Sequence, residues 1–202
     1  MVPGGRRLRR IGDFAPSLRA KYRGLEQADS FLLDPPKWLF TPFDCCALLY
    51  RQPELASATH TQDASYLEVI HTSDGEWNPA DYAYHLTRRA RGLPLWFSLA
   101  VNGIDAYREA IEVAVRLAKQ TAGLITATPH LELIRNRTWA SCCSAGPDGS
   151  RRTTTAGRRP CTMQEIAFIP PTKWEGETVG RFAFLHPHTG MDLVREILER
   201  TK

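Results

Sequence analysis

The chain has 202 residues, 43% of them apolar and 24% charged, which is enough to bury a core in one or two domains of a soluble globular protein. Its formal net charge of +4 is modest, and no nucleic-acid partner is expected. No apolar run approaches bilayer-spanning length and no apolar signal core follows Met1, so no membrane association is expected and a cytoplasmic location is.

Met1–Arg10 carries four arginines and no apolar period, and by itself it reads as a basic arm. Ile11–Glu26 places Leu18, Tyr22 and Leu25 at helical spacing. Ser30–Leu33 is a short apolar run that ends at Asp34 and two prolines. Cys45–Tyr50 is a second run, bounded upstream by Pro42. Both are expected as buried strands, because they are short, apolar and punctuated by turn residues. Between them Lys37 is wedged between Pro36 and Trp38. A lysine buried in such a place loses its proton more easily, since burial disfavours the ammonium form. A neutral lysine is a nucleophile suited to forming a Schiff base with an aldehyde. The alternative reading is an ordinary lysine at a strand end.

Further along, Glu54–Ala58 is a short polar helix. Gln62 to Asn78 reads as a long loop containing Tyr66, with Asp74-Gly75 as its turn signal. Asn78 and Pro79 suit the N-cap and first position of a helix. Arg88, Arg89 and Arg91 follow, and they suit a phosphate-binding cluster, a solvated face or structural ion pairs. Asn102-Gly103 breaks the pattern before Ile104–Thr121, which resumes it with Ile104, Tyr107, Ile111, Val115 and Leu117-Ala118 on a helix of about five turns. Leu131–Ile134 is a strand, and Ile166 to His188 reads as strand, turn and strand. Thr189–Arg200 closes the chain as a helix with Met191, Val194, Ile197 and Leu198 on one face. The cysteines fall as Cys45-Cys46, Cys142-Cys143 and Cys161. That spacing makes neither a disulfide framework nor a zinc site, and unpaired thiols in a reducing compartment are expected. His186 and His188 lack further ligands at metal spacing, so no metal is expected.

The run Asp29-Ser30-Phe31, Asp34-Pro-Pro-Lys37-Trp38-Leu39 and Pro42-Phe-Asp-Cys45 resembles the lysine motif of the group II pyridoxal-phosphate-dependent amino acid decarboxylases. That family includes the aromatic-L-amino-acid, histidine and glutamate decarboxylases, and it usually has His where this chain has Pro36. The segments from Leu86 to Leu99 and Trp174-Glu-Gly-Glu177 resemble further blocks of it. The resemblance implies fold type I of the pyridoxal-phosphate enzymes: the C-terminal part of the large α/β domain over 1–103, and a connecting helix with a small α/β domain over 104–202. It implies pyridoxal 5′-phosphate as cofactor, a homodimer, and α-decarboxylation of an L-amino acid, of aromatic type. Lys37 would bind the cofactor's aldehyde. Tyr66 would reprotonate the substrate carbon once a lid excludes water, although a tyrosine that only packs the loop down is the plainer alternative. Asp34, Trp38 and Asp44 would shape the lysine turn.

Two stretches depart from the family pattern. Met1–Arg10 can be coded so that reading one base later gives Trp-Phe-Gln-Val-Asp-Ala-Ala-Tyr-Gly, similar to the family's strand bearing the pyridine-pairing aspartate. Ser141–Gly149, read two bases later, can give Val-Leu-Leu-Arg-Arg-Thr-Gly-Trp, similar to its first small-domain strand. A basic linker is the competing reading of the second stretch. As translated, 137–164 has no apolar period and is expected to be irregular. The family's upstream half, with its phosphate loop and ring-stacking residue, is expected to be missing. Two functions therefore stand at this point: a decarboxylase, and a non-catalytic remnant of one that at most dimerises.

Overall fold

The computed structural model describes residues 15–42, 44–62, 78–137, 141–145, 162–163, 167–169 and 171–200. Met1–Arg10 and Tyr66 lie outside them, as does the Asp74-Gly75 turn signal. The chain divides into two compact units, Met1–Ile104 and Asp105–Lys202.

In the first unit, a 3-10 helix at Pro16–Tyr22 follows Ala15 and buries Leu18 completely. Strand β1 (Ser30–Leu33) pairs antiparallel with β2 (Ala47–Tyr50), in the register Ser30 to Tyr50 and Leu33 to Ala47. The one-turn helix α1 (Pro35–Trp38) stands between them. Prolines suit its first turn, where their missing N–H has no helical partner to lose. Strand β1 has the bounds expected from the sequence and β2 starts at Ala47 instead of Cys45, but the expected burial is corrected: every residue of both strands is half-buried or exposed. Leu32 and Leu48 are cross-strand partners and remain 59% and 48% exposed. Alternation along a two-stranded sheet turns one set of side chains inward and leaves the other out. Helix α2 (Pro53–His60) follows with Ala56 buried. The Asn78 side chain accepts from the Ala80 N–H at 3.0 Å and caps a short 3-10 helix at Pro79–Tyr82, which is the capping role its position predicts.

Helical residues then run from Gly92 to Thr126 as α3, interrupted at Gly103. There φ is 73° and ψ 164°, a conformation that glycine adopts at little cost. Ile104, beside the break, stays partly exposed rather than joining the core.

The second unit is built from the apolar stripe beyond that break. Tyr107, Ile111, Ala114, Val115, Ala118, Thr121, Ala122 and Ile125 are buried at intervals of three and four residues, which places them on one helix face. A four-stranded sheet runs in the order β3 (Glu132–Arg137), β4 (Ser141–Ala145), β8 (Glu177–Ala183) and β7 (Pro171–Trp174). Two further short strands, β5 (Thr162–Met163) and β6 (Ala167–Phe168), pair with each other. The β7–β8 hairpin turns on Glu175 and Gly176, both at positive φ (50° and 88°). That pair of values is what a tight hairpin matching strand twist requires. Phe182 and Phe184 stack at 6.2 Å and are buried. The closing helix α4 (Met191–Glu199) buries Val194, Ile197 and Leu198.

The expectation that 137–164 is irregular is corrected at β4. Ser141–Ala145 is an interior strand, paired antiparallel with β3 on one side and β8 on the other. A strand flanked on both sides satisfies its backbone donors and acceptors whatever its side chains are. A search for apolar alternation therefore misses it.

Burial gives one pH dependence. It raises the pKa of the Tyr22 phenol above its ordinary value. The folded chain thus holds that proton more tightly than the unfolded chain does. The stabilisation is complete below about pH 10 and is lost as pH rises through the folded value. We expect thermal stability to fall more steeply between about pH 9 and about pH 11 in the wild type than in Tyr22→Phe. Parallel melting curves in that window would contradict the assignment.

Candidate active site

Lys37 sits in the last turn of α1, one residue before its end, on a segment closed at both ends by β1 and β2. The local fold is fixed by short backbone bonds. The Lys37 N–H donates to the Asp34 carbonyl at 3.2 Å, and the Leu39 and Thr41 N–H groups both donate to the Pro35 carbonyl. Pro35 and Leu39 are buried beneath this turn. The Lys37 side chain is 67% exposed, with its Nζ 2.5 Å from Asp34 Oδ2. The burial expected for Lys37 is therefore corrected. Three residues of helical spacing bring Asp34 and Lys37 to the same side, and the long lysine stem carries its charge to solvent.

Asp44 follows the lysine turn with φ at 88°. Its carboxylate takes Arg89 Nη2 on Oδ2 at 2.8 Å and Arg91 Nε on Oδ1. Arg88 is turned elsewhere, donating to the Pro79 carbonyl at 2.7 Å. Of the three readings open for these arginines, the structure shows ion pairs for Arg89 and Arg91. Cys45 is buried and Cys46 exposed, both as free thiols. Burial pushes the Cys45 thiol pKa up, and Cys46, Asp44 and Asp34 add to the shift. His186 and His188 stack edge to face at 5.3 Å. No group of three or more metal-binding side chains gathers among the described residues.

A cavity of about 310 Å³, bordered by Ser30, Tyr50, Arg51, Leu55, Ala56 and His60, opens at the end of the β1–β2 hairpin away from Lys37. Lys37 does not line this cavity, and its side chain is exposed. Among the described residues, no helix is long and apolar enough to cross a membrane.

The described residues fit a pyridoxal group at its aldehyde end. Lys37 offers an accessible primary amine on a short turn anchored by two strands. Arg89 and Arg91 are engaged by Asp44, so they form no phosphate cradle here.

Comparison with known proteins gives a consistent picture. Residues 12–144 match the model of the pyridoxal-dependent decarboxylase conserved domain. The chain is 28% identical over 191 residues to an aromatic-L-amino-acid decarboxylase of Bacillus atrophaeus, covering 91% of this chain and 40% of that protein. It is 35% identical over 132 residues to tyrosine decarboxylase 4 of Petroselinum crispum, covering 63% of this chain and 25% of that one. Its fold matches an Oryza sativa TDC solved with PLP and tryptamine, with a TM-score of 0.74 at 23% identity, over 93% of this chain and 40% of that structure. The chain thus spans two fifths or less of the length of these relatives. The shared fold is that of the pyridoxal-phosphate decarboxylases, fold type I. The matched region holds both Lys37 and the Asp44 turn and covers about two thirds of the sequence, and the chain belongs to the pyridoxal-dependent decarboxylase family.

Proposed function

We propose that this chain carries the lysine-bearing part of a pyridoxal-phosphate-dependent L-amino acid decarboxylase, acting on an aromatic-type substrate. The observation that carries the reading is the family match over 12–144, with Lys37 held as an accessible amine on the β1–α1–β2 turn. Relatives named as aromatic-L-amino-acid, tyrosine and tryptophan decarboxylases support the substrate class. A homodimer and a cytoplasmic location belong to the same proposal.

When bound, the cofactor supplies an electron sink for the pair released as the carboxylate leaves. The chain supplies the groups around it. The Lys37 amine would hold the cofactor at its aldehyde. Asp34 accepts a hydrogen bond from that amine and fixes its direction. Tyr66 delivers a proton from its phenol to the substrate's α-carbon.

The test uses carboxyl-labelled tyrosine, tryptophan and glutamate, so that slow release is still measured. Labelled carbon dioxide should come from the aromatic substrates and vanish in Lys37→Ala. Tyr66→Phe should lower amine formation by about 10²-fold or more while leaving attachment at Lys37 intact. Release from glutamate alone would overturn the aromatic assignment.

A second reading is favoured by one observation. Lys37 is 67% exposed, so in this chain the amine is not enclosed. A non-catalytic protein that retains the fold and the lysine fits that exposure, and the same labelled-substrate assay separates the two.

A further inference from the structure

The backbone after Lys37 is strained in a way the rest of the described chain is not. Three described non-glycine residues have positive φ. One, Glu175, is in a hairpin turn, where such values are expected. The other two, Phe40 at 49° and Asp44 at 88°, both lie in the stretch that joins the lysine turn to β2. Left-handed conformations are unfavourable for residues with a Cβ and persist where surrounding contacts enforce them.

The enforcing contacts are visible at Asp44. One carboxylate is shared between Arg89 and Arg91. The segment bearing them is itself tied down, since Arg88 donates to the Pro79 carbonyl of the Asn78-capped turn. On the other side, Thr41 is buried, with its hydroxyl donating to the Leu39 carbonyl at 3.1 Å and its N–H to Pro35. Pro35 is in the same helical turn as Lys37. Cys45, next to Asp44 in the chain, is buried; burial above all raises its pKa, and the charges of Asp44 and of Asp34, the partner of Lys37, add to the rise. The clamp and the lysine's counter-ion thus act on one small region.

We propose that Asp44, Arg89 and Arg91 form a positioning clamp that holds the strained turn after Lys37 and thereby sets the direction of the Lys37 amine. The clamp holds the turn at Asp44 and touches no reacting atom. Its meaning for catalysis rests on the reading of Lys37 as the cofactor-binding amine. Because the arginines are 78% and 44% exposed, the clamp is open to salt, and its strength lies in two cations sharing one held carboxylate.

Two readouts test it. The first needs no cofactor: the rate at which iodoacetamide alkylates Cys45, read by mass spectrometry in a Cys46→Ser background, because the neighbouring Cys46 is an exposed free thiol on the same peptide. Asp44→Asn keeps a residue that tolerates left-handed backbone but removes the charge. The double variant Arg89→Gln, Arg91→Gln removes the partners. Release of the turn exposes Cys45 and should speed alkylation about three- to tenfold in both. The arginine variant decides the cause. Loss of two cations by itself disfavours the thiolate and slows the reaction, so acceleration there reports release of the turn. The triple variant should be no faster than Asp44→Asn, since the turn is already released there and loss of the cations can only slow the thiolate, and 1 M salt should accelerate the wild type.

The second readout is the rate of borohydride-trapped attachment of pyridoxal phosphate to Lys37, which should fall in the same variants by a similar factor. Unchanged or slower Cys45 alkylation in the arginine variant would overturn the clamp. Faster alkylation with unchanged trapping would overturn its link to Lys37. Faster alkylation with no trapping at Lys37 even in the wild type would support the clamp and sink the cofactor reading instead.

Discussion

Carbon dioxide release by the isolated chain is expected to run at least about a thousandfold below that of the longer Bacillus atrophaeus relative under the same assay. The reason is visible at Lys37. Stabilisation of developing charge is strong where fixed groups surround a site from which water is excluded. Here the Lys37 side chain is 67% exposed and, among the described residues, its amine pairs with the Asp34 carboxylate. Leu32 and Leu48 of the β1–β2 pair are open to water as well. Loss of a single preorganised donor lowers turnover by about 10²–10³ in well-studied enzymes, and an open site lacks more than one. Release comparable to the relative's, abolished by Lys37→Ala, would mean that the amine is enclosed in solution and would contradict this structure at its most important residue.

The second large effect concerns stability. Ile125→Ala is expected to cost about 2–4 kcal/mol. Ile125 is fully buried at the end of the α3 stripe, and truncation removes its buried methyl groups and leaves a cavity its neighbours fill only in part. Since small domains are stable by about 5–15 kcal/mol, the 105–202 unit should melt at a clearly lower temperature or denaturant concentration. Val101→Ala is the control. Val101 is 79% exposed and precedes the Gly103 break, and the change should stay within about 0.5 kcal/mol. Equal losses for the two variants would show that the α3 stripe is not the core.

Much of this was legible in the residues, for physical reasons that differ from place to place. The α3 stripe and the closing helix could be read because a helix repeats its buried face every three or four residues. The break at Gly103 could be read because Asn-Gly interrupts that period. The β1–β2 strands were legible as strands, whereas their half-exposure was not, since short apolar runs do not declare how many neighbours a sheet will have. Strand β4 escaped because pairing with β3 and β8 is a property of the backbone, and Ser141–Ala145 shows no apolar alternation.

At the site, the Asp34–Lys37 pair lay within reach of sequence reasoning through its spacing of three residues on one turn. The expectation of a buried lysine rested instead on its apolar neighbours, which say little about where a long, flexible charged side chain ends. Asp44 and its arginines are 45 and 47 residues apart. No local spacing rule covers such a distance, so a family's motif could mark Asp44 as important without revealing what it holds.

The central claim is that Lys37 is the amine through which this chain takes pyridoxal phosphate. The most direct test adds pyridoxal phosphate to the purified chain, reduces with borohydride and maps the modified lysine by peptide mass spectrometry. The account predicts one dominant modified peptide containing Lys37, and its loss in Lys37→Ala with no compensating increase at Lys21, Lys119 or Lys173. Modification spread evenly over the surface lysines, or unchanged in Lys37→Ala, would contradict it.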